Sequence, residues 1–504
     1  MACKAAAFTF EDAVTEVGQC RLGHKRRTAR LVDSTRRISQ HPGGTLPEKL
    51  GELKAYRATL RLMNQPTTTH AAILAPHLAA TKKRMAAADG TVLVIHDTTE
   101  LDYSNQKTLT SMGQIGNGGG QGYECHNSLA VDAQTGDLMG LASQILHSRV
   151  DKPKGEGVKA SRERQSRESR LWVNAVKAIG PAPEEGHWVD VCDRGADTFE
   201  FLEYECKLKR HFVIRSTYSR ALEVESPEGP HLLHDLLRSL EAQVGWTVKV
   251  SANNKQPKRT AKVLCSWVQV KLKAPHVRKG EHGREPLTVW AIRVWEVEAP
   301  AEVDEPLEWL LLSDELIEDA AGARERVGYY EKRPTIEEYH KAQKTGLGIE
   351  QLQLQSQAGL QPLIGLLSVL AVPLVNARQA ARVPEKAEQP ATDLFDPVQV
   401  RVLCLWRYKE ERPLTVREYI LALGRLGGHF NRKCDGLPGW RTLWRGAMKL
   451  HAMVEYEQAR QSAGGGAAPS TRLQTYALAE ARAEEPRPPP CFTLRLSTPS
   501  YGKL

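Results

Sequence analysis

The chain has 504 residues, with 69 Lys and Arg against 60 Asp and Glu for a formal charge of +9, and is 41% hydrophobic and 26% charged. These proportions exclude a wholly disordered, collagen-like or coiled-coil protein and leave room for several domains with sizeable cores. The basic balance favours an anionic partner.

Nine cysteines, at positions 3, 20, 125, 192, 206, 265, 404, 434 and 491, form no C-x-x-C pair, and no His spacing completes a zinc site. They read as buried small hydrophobes in a reducing compartment. No long apolar run precedes the first acids, so a signal peptide is not expected. The most apolar stretch, residues 363–375, is too short for a membrane span and contains Gly365, Ser368 and Pro373. The expectation is a soluble cytoplasmic protein with no membrane partner.

Residues 1 to about 85 read as helical and basic. Residues 21–40 carry seven basic side chains against one acid, Asp33. Leu31 and Val32 beside Ala29 suggest a helix docked by a thin stripe, with Arg26, Arg27 and Arg30 on a wet face. A plain solvated face and a face for an anionic partner account for it equally well.

From Thr91 the texture changes to strands at 91–95, 126–132 and 138–147, the last two joined by the turn Thr135-Gly136-Asp137. A helix-like stretch at 158–179 follows, then a strand at 188–192, an amphipathic helix at 198–209 and a strand at 211–215. This order predicts an α/β fold with helices laid over a mixed sheet. Strand-like runs at 246–250, 261–272, 287–297 and 309–312 form a β insertion at about 216–325. Helices resume at Ala320, and a Pro- and charge-rich loop at 383–397 precedes a last helical region, about 398–461. The apolar spacing at 398–406 and 419–426 suits a dimer interface and intramolecular packing equally, and Arg441, Arg445 and Lys449 at spacings of four could form a second face for an anionic partner. The glycine run 116–122 reads as a flexible loop rather than a nucleotide fingerprint.

Asp97 ends the predicted strand 92–97, and Asp193 ends 189–193. Side chains just past the carboxyl ends of strands point into the crevice of an open α/β sheet, where two aspartates can share a hard divalent ion. Singly, each is more often a turn former or helix cap. Further on, Pro334 suits the start of a helix and Gly346 its end. Glu337, Lys341 and Lys344 then share a face, with Arg333 just before it, so one carboxylate stands among positive groups. A surface helix with i, i+4 ion pairs explains that helix taken alone.

Together, Tyr330-x2-Arg333-x3-Glu337-x6-Lys344 with Asp97 and Asp193 upstream resembles the bacterial insertion-sequence transposases of the DDE type. Likeness to their transposon-five branch runs from 25–32 through 212–216 and 309–312 to 425–428 and 440–446. The resemblance implies a ribonuclease-H-like mixed-sheet core at 86–378 carrying the β insertion. It also implies a helical DNA-end-binding domain at 1–85, a helical dimerisation domain at 379–461 and a mobile tail at 462–504.

It further implies that Asp97, Asp193 and Glu337 hold two Mg²⁺ ions, for which Mn²⁺ can substitute, and catalyse in-line phosphoryl transfer. Water would cut first; the freed 3′ hydroxyl would then attack the opposite strand to form a hairpin, and later the target. Tyr330, Arg333, Lys344 and Arg215 would grip phosphates, and Lys25, Arg26, Arg27 and Arg30 would contact transposon ends. Trp309 would stack on a flipped base, although a strand tryptophan is equally well a core residue. Pro334 stands where the best-known relative has an aromatic residue. The implied partners are double-stranded DNA, as transposon ends and as target, and a second copy in a homodimeric DNA complex, in the bacterial cytoplasm at the nucleoid. The alternatives are a catalytically silent DNA-binding inhibitor or element-derived binder, and a metal-dependent nuclease without strand transfer.

Overall fold

A computed structural model describes residues 7–109, 112–150, 155, 167–208, 210–223, 230–250, 258–276, 282–301, 303–432 and 435–463. The chain forms two compact units, residues 1–451 and 452–504, and the architecture below is that of the first. The segment expected as a mobile tail lies outside the described residues from 464 on.

Five helices open the chain: α1 (Phe10–Val17), α2 (Lys25–Gln40), α3 (Leu46–Leu50), α4 (Leu53–Met63) and α5 (His70–Ala86). Their starts are written locally. Thr9 and Asp12 form a capping box on α1, Thr45 and Glu48 another on α3, and Thr69 caps α5. The α1–α5 contact is polar: buried Glu16 accepts from His77 Nδ1 at 2.6 Å and Arg84 Nη1 at 2.5 Å. Burial lowers the His77 pKa, so its neutral ring can accept at Nε2 from the Leu141 backbone N–H at 2.9 Å.

The sheet comprises β1 (Val92–Asp102), β2 (Gly113–Ile115), β3 (Gly120–Asp132), β4 (Leu138–His147), β5 (Trp188–Cys192), β6 (His211–Arg215), β7 (Val244–Val250), β8 (Arg259–Leu272), β9 (Leu287–Val297) and β10 (Glu308–Ser313). Helices α6 (Leu171–Ile179), α7 (Phe199–Leu208) and α8 (Leu233–Ser239) interrupt it. The strand order is β2-β3-β1-β5-β6-β10-β9-β8-β7, with β4 also on β3. Among the described residues only β1–β5 and β5–β6 pair in parallel. The run β4-β3-β1-β5-β6 is compatible with a ribonuclease-H-like core.

The expected β insertion exists but makes no layer of its own. Ser313 of β10 pairs with Val213 of β6, so β7 to β10 widen the central sheet. Alternation along the strands sends Val189, Val191 and Val213 into one core and Cys192, Phe212 and Ile214 into another. Both faces are covered, which is why the parallel strands are mostly apolar, with His96 and Asp190 buried among them. At the β4 edge, exposed backbone groups are closed by side chains: Asn376 both accepts from Leu138 N and donates to Leu138 O, at 2.9 Å each.

Several local expectations change. β1 does not end at Asp97 but runs on to Asp102 against β3. The glycine run is a tight hairpin between β2 and β3, not a free loop. Of the helix expected at 158–179, residues 158–166 lie outside the described residues, and α6 begins at Leu171.

The chain continues through α9 (Ala320–Glu331), α10 (Pro334–Lys341), α11 (Gln357–Ala380), α12 (Pro384–Ala387), α13 (Pro397–Tyr408), α14 (Val416–Leu426) and α15 (Trp440–Ala463). Among the described residues α11 is the one helix long and apolar enough to cross a membrane, and 83% of its apolar window is buried inside the protein. Residues 363–375, too short for a span by themselves, are thus part of a 24-residue core helix that continues through Pro362 and Pro373.

Val400, Leu403 and Cys404 of α13 and Tyr419, Ile420 and Leu423 of α14 are buried within the chain, so intramolecular packing uses these apolar faces. Here α14 and α15 approach through glycine: a Cβ on Gly446 would lie 2.1 Å from the Leu423 carbonyl oxygen. Gly446→Ala is expected to destabilise the protein by about 1–3 kcal/mol, read as a lower thermal midpoint.

Candidate active site and nucleic-acid interface

Register decides where the first two carboxylates meet. Parallel pairing of β1 with β5 ends at His96 opposite Cys192, so Asp97 and Asp193 are the next residues on adjacent strands. Asp193 then caps a 3₁₀ turn, its Oδ1 accepting from Gly195 N at 2.9 Å. Asp97 Oδ1 accepts from Thr98 N at 2.9 Å. A cap and a ligand-type position therefore coincide in Asp193.

The third carboxylate arrives on α10, where Pro334 occupies the first turn as its sequence predicts. Arg333, just before it, sits among all three. Its Nη1 is 2.6 Å from Glu337 Oε1, and its Nη2 is 3.2 Å from Asp97 Oδ2 and 3.9 Å from Asp193 Oδ2. Burial pushes the Asp97 pKa up to about 6; Arg333 opposes this, while Asp193 and Glu337 add to it. Burial would weaken the Arg333 charge, but Asp97 and its other neighbours outweigh it and raise its pKa. Three carboxylates from three elements therefore require a cation between them, and the guanidinium meets that requirement. Its Nε is buried without a hydrogen-bond partner among the described residues.

A buried polar lattice fixes α10 against the sheet. Asn127, opposite Asp97 on β3, donates to His340 Nε2 at 3.1 Å and accepts from Gln144 at 2.7 Å. Ser368 Oγ of α11 accepts from Gln144 at 2.8 Å and from Gln343 at 2.9 Å. Burial, with Lys344 and Arg333 nearby, lowers the His340 pKa to about 3, so its ring is a neutral acceptor. Beside Glu337, Glu338 pairs with Arg378 and accepts from Trp440 Nε1 at 3.2 Å. Below Asp97, Asp190 takes His96 Nε2 at 2.7 Å and two bonds from Arg210. Burial would raise the Asp190 pKa, but Arg210 and His96 hold it below the ordinary carboxylate value.

The remaining predicted side chains divide. Buried Tyr330 has its phenol pKa pushed up by burial, against Arg215 and Arg333, and its ring meets Trp309 edge-on at 5.8 Å. Arg215 donates to the Glu308 carbonyl at 3.0 Å. Trp309 is half-buried against the core, with its edge at this site. Lys341 and Lys344 do not surround Glu337: they pair with Glu338 at 3.1 Å and Glu350 at 3.2 Å. Lys341 takes its i, i+3 neighbour, and for Lys344 the cause is a π turn, Ala342–Gly346, which breaks the helical spacing after α10.

Two other clusters bring candidate ligand atoms within 4.8 Å of one another: His187, His211 and Glu315, and Glu124, His147 and Glu168. Neither cluster is visible in the sequence spacing of its residues. Parallel strands bring together side chains that sequence spacing keeps apart.

At the N-terminus, Lys25 and Arg26 are exposed and have no carboxylate partner among the described residues. Arg27 instead turns inward, donating to Leu22 O at 3.1 Å and Thr67 Oγ1 at 2.9 Å, and Arg30 pairs with Asp33 at 2.9 Å. Arg441, Arg445 and Lys449 are exposed along one face of α15. Residues 12–68, which contain α2 to α4 and most of α1, match the family model for transposase DNA-binding domains, and this supports a transposase with DNA as its partner.

Proposed function

We propose that the protein is a cut-and-paste DNA transposase of the DDE type, dependent on Mg²⁺ or Mn²⁺, working as a homodimer on transposon ends and target DNA in the bacterial cytoplasm. The observation that carries this reading is the convergence of Asp97, Asp193 and Glu337 on Arg333, in a chain whose N-terminal helices match a transposase DNA-binding domain. These three carboxylates would hold the divalent ions, which supply activation of the attacking oxygen and charge stabilisation at the leaving oxygen. Arg333, released from its carboxylates, would turn to the scissile phosphate, for which a guanidinium fork is suited. Tyr330 and Arg215 line the same edge and would orient the strand; Trp309 would receive an extruded base during hairpin formation. Lys344 would bind phosphate only by leaving Glu350.

Purified full-length protein with Mg²⁺ is expected to nick DNA carrying the element's own ends at the 3′ strand, and chelator should stop it. That the guanidinium already balances the carboxylates favours a second reading, a DNA-binding protein with a silent centre. Binding without any nicking under these conditions selects that reading.

End binding has its own expected signature. Lys25→Ala with Arg26→Ala should flatten the dependence of log affinity on log salt by about 1.8, at roughly 0.9 for each phosphate that a removed side chain had neutralised. Arg27→Ala should lower the thermal midpoint, because this side chain ties the α2 entry loop to Thr67. An unchanged salt slope in the double variant would move the DNA face elsewhere.

A further inference from the structure

His187 lies just before β5 and His211 opens β6, two parallel neighbours, while Glu315 follows the end of β10, which runs antiparallel to β6. All three therefore reach the edge of the sheet opposite the aspartates. From His187 to Asp193 along β5 is roughly 20 Å, at about 3.3 Å per residue. We propose that His187, His211 and Glu315 form a second metal site, for a borderline transition ion of the Zn²⁺ class, separate from the carboxylate centre.

The distances are close to what such an ion needs. Tetrahedral bonds of about 2.0 Å place ligand atoms roughly 3.3 Å apart. His187 Nε2 is already 2.7 Å from Glu315 Oε1, and His211 Nδ1 is 4.0 Å from the same oxygen. All three ligand atoms lie within 4.8 Å of one another, so side-chain adjustments of about 1.5 Å or less close the set. Both imidazoles are 35% exposed, so water has access to the fourth position.

The surroundings are those of a held ligand set. Thr91 Oγ1 lies 2.8 Å from His187 Nδ1, leaving Nε2 toward Glu315. Asp314, itself fixed by the Phe212 N–H at 2.9 Å, takes His211 Nδ1 at 3.0 Å, and binding an ion at that nitrogen displaces this proton. A hydroxyl on the nitrogen that does not bind the ion, as Thr91 on His187, orients a metal-binding histidine. Arg326 Nε stands 3.1 Å from Glu315 Oε2, engaging that oxygen and leaving Oε1 for the ion. Arg326 also pairs with Glu325. Two carboxylates, Glu315 and Glu325, thus share one guanidinium. Two imidazoles select Zn²⁺ or Co²⁺ over Mg²⁺, which prefers oxygen ligands.

The test uses full-length protein carrying Asp97→Ala and Glu337→Ala, so that the carboxylate centre does not compete. After stripping with chelator, it should bind one equivalent of Zn²⁺ in the presence of excess Mg²⁺, and Co²⁺ should give the intense visible bands of a tetrahedral site. His187→Gln or Glu315→Gln should abolish both signals. An unaltered Zn²⁺ stoichiometry in folded His187→Gln overturns the site. Should that variant fail to fold, a pale octahedral Co²⁺ spectrum in the parent overturns it equally.

Discussion

Asp97→Ala, Asp193→Ala and Glu337→Ala are each expected to lower Mg²⁺-dependent nicking by about a thousandfold or more, equivalent to about 4 kcal/mol of transition-state stabilisation. End binding should survive in all three. The separation is physical: Lys25 and Arg26 lie on α2, whereas the carboxylates come from β1, the end of β5 and α10. Removing one of three like charges relieves repulsion but takes a partner from Arg333, so the thermal midpoint of each variant is what separates lost chemistry from lost fold. Asp97→Ala in particular removes a buried carboxyl whose pKa is pushed up to about 6. Asp97→Ala should therefore melt close to the parent temperature while losing cleavage, and Asp193→Ala should melt lower because it also removes the cap on Gly195 N. Persistent 3′ nicking by Glu337→Ala would remove that residue from the centre and with it the DDE assignment.

The parts of this centre that are legible in the sequence are those set by short-range rules. Pro334 starts α10 because its missing N–H and fixed φ suit a first turn, and the apolar runs around Val94 and Val191 are long enough to specify strands. What escapes is everything settled by register and packing. The level at which Asp97 and Asp193 meet follows from His96 standing opposite Cys192, which no local pattern encodes. Uninterrupted helical spacing would put Lys344 beside Glu337, and the π turn at Ala342–Gly346 sends it to Glu350 instead. Asn127, Gln144, Gln343 and Ser368 are ordinary polar residues in sequence and become one lattice only when β3, β4, α10 and α11 are packed. The same holds for Arg27: a basic stretch predicts a wet face, and the loop at Leu22 draws one guanidinium inward.

Arg333→Ala should give the largest stability effect, and its dependence on pH and metal identifies the reason. With the guanidinium gone, Asp97, only 15% exposed, faces two carboxylates with no countercharge. Breaking a buried ion pair costs about 3–5 kcal/mol; Glu337 is half exposed and Asp193 a third, so about 2–3 kcal/mol is expected at pH 7.5 without divalent ions. The sign follows from Asp97, whose folded pKa of about 6 lies above its ordinary 3.8. The folded state holds this proton more tightly, so ionisation opposes folding: the penalty is absent below about pH 4 and grows as pH rises through about 6. Without Arg333 the folded pKa moves higher still, so the deficit of the variant should be small at pH 4 and widen to about pH 8. Mg²⁺ should then raise its melting temperature more than the parent's, since binding to the folded state alone stabilises it and no guanidinium competes. Arg333→Met, which keeps the apolar stem, should behave like the alanine variant. A deficit equal at pH 4 and pH 7.5, or insensitive to Mg²⁺, would mean that Arg333 contributes by packing alone and that the three carboxylates do not form a cation site.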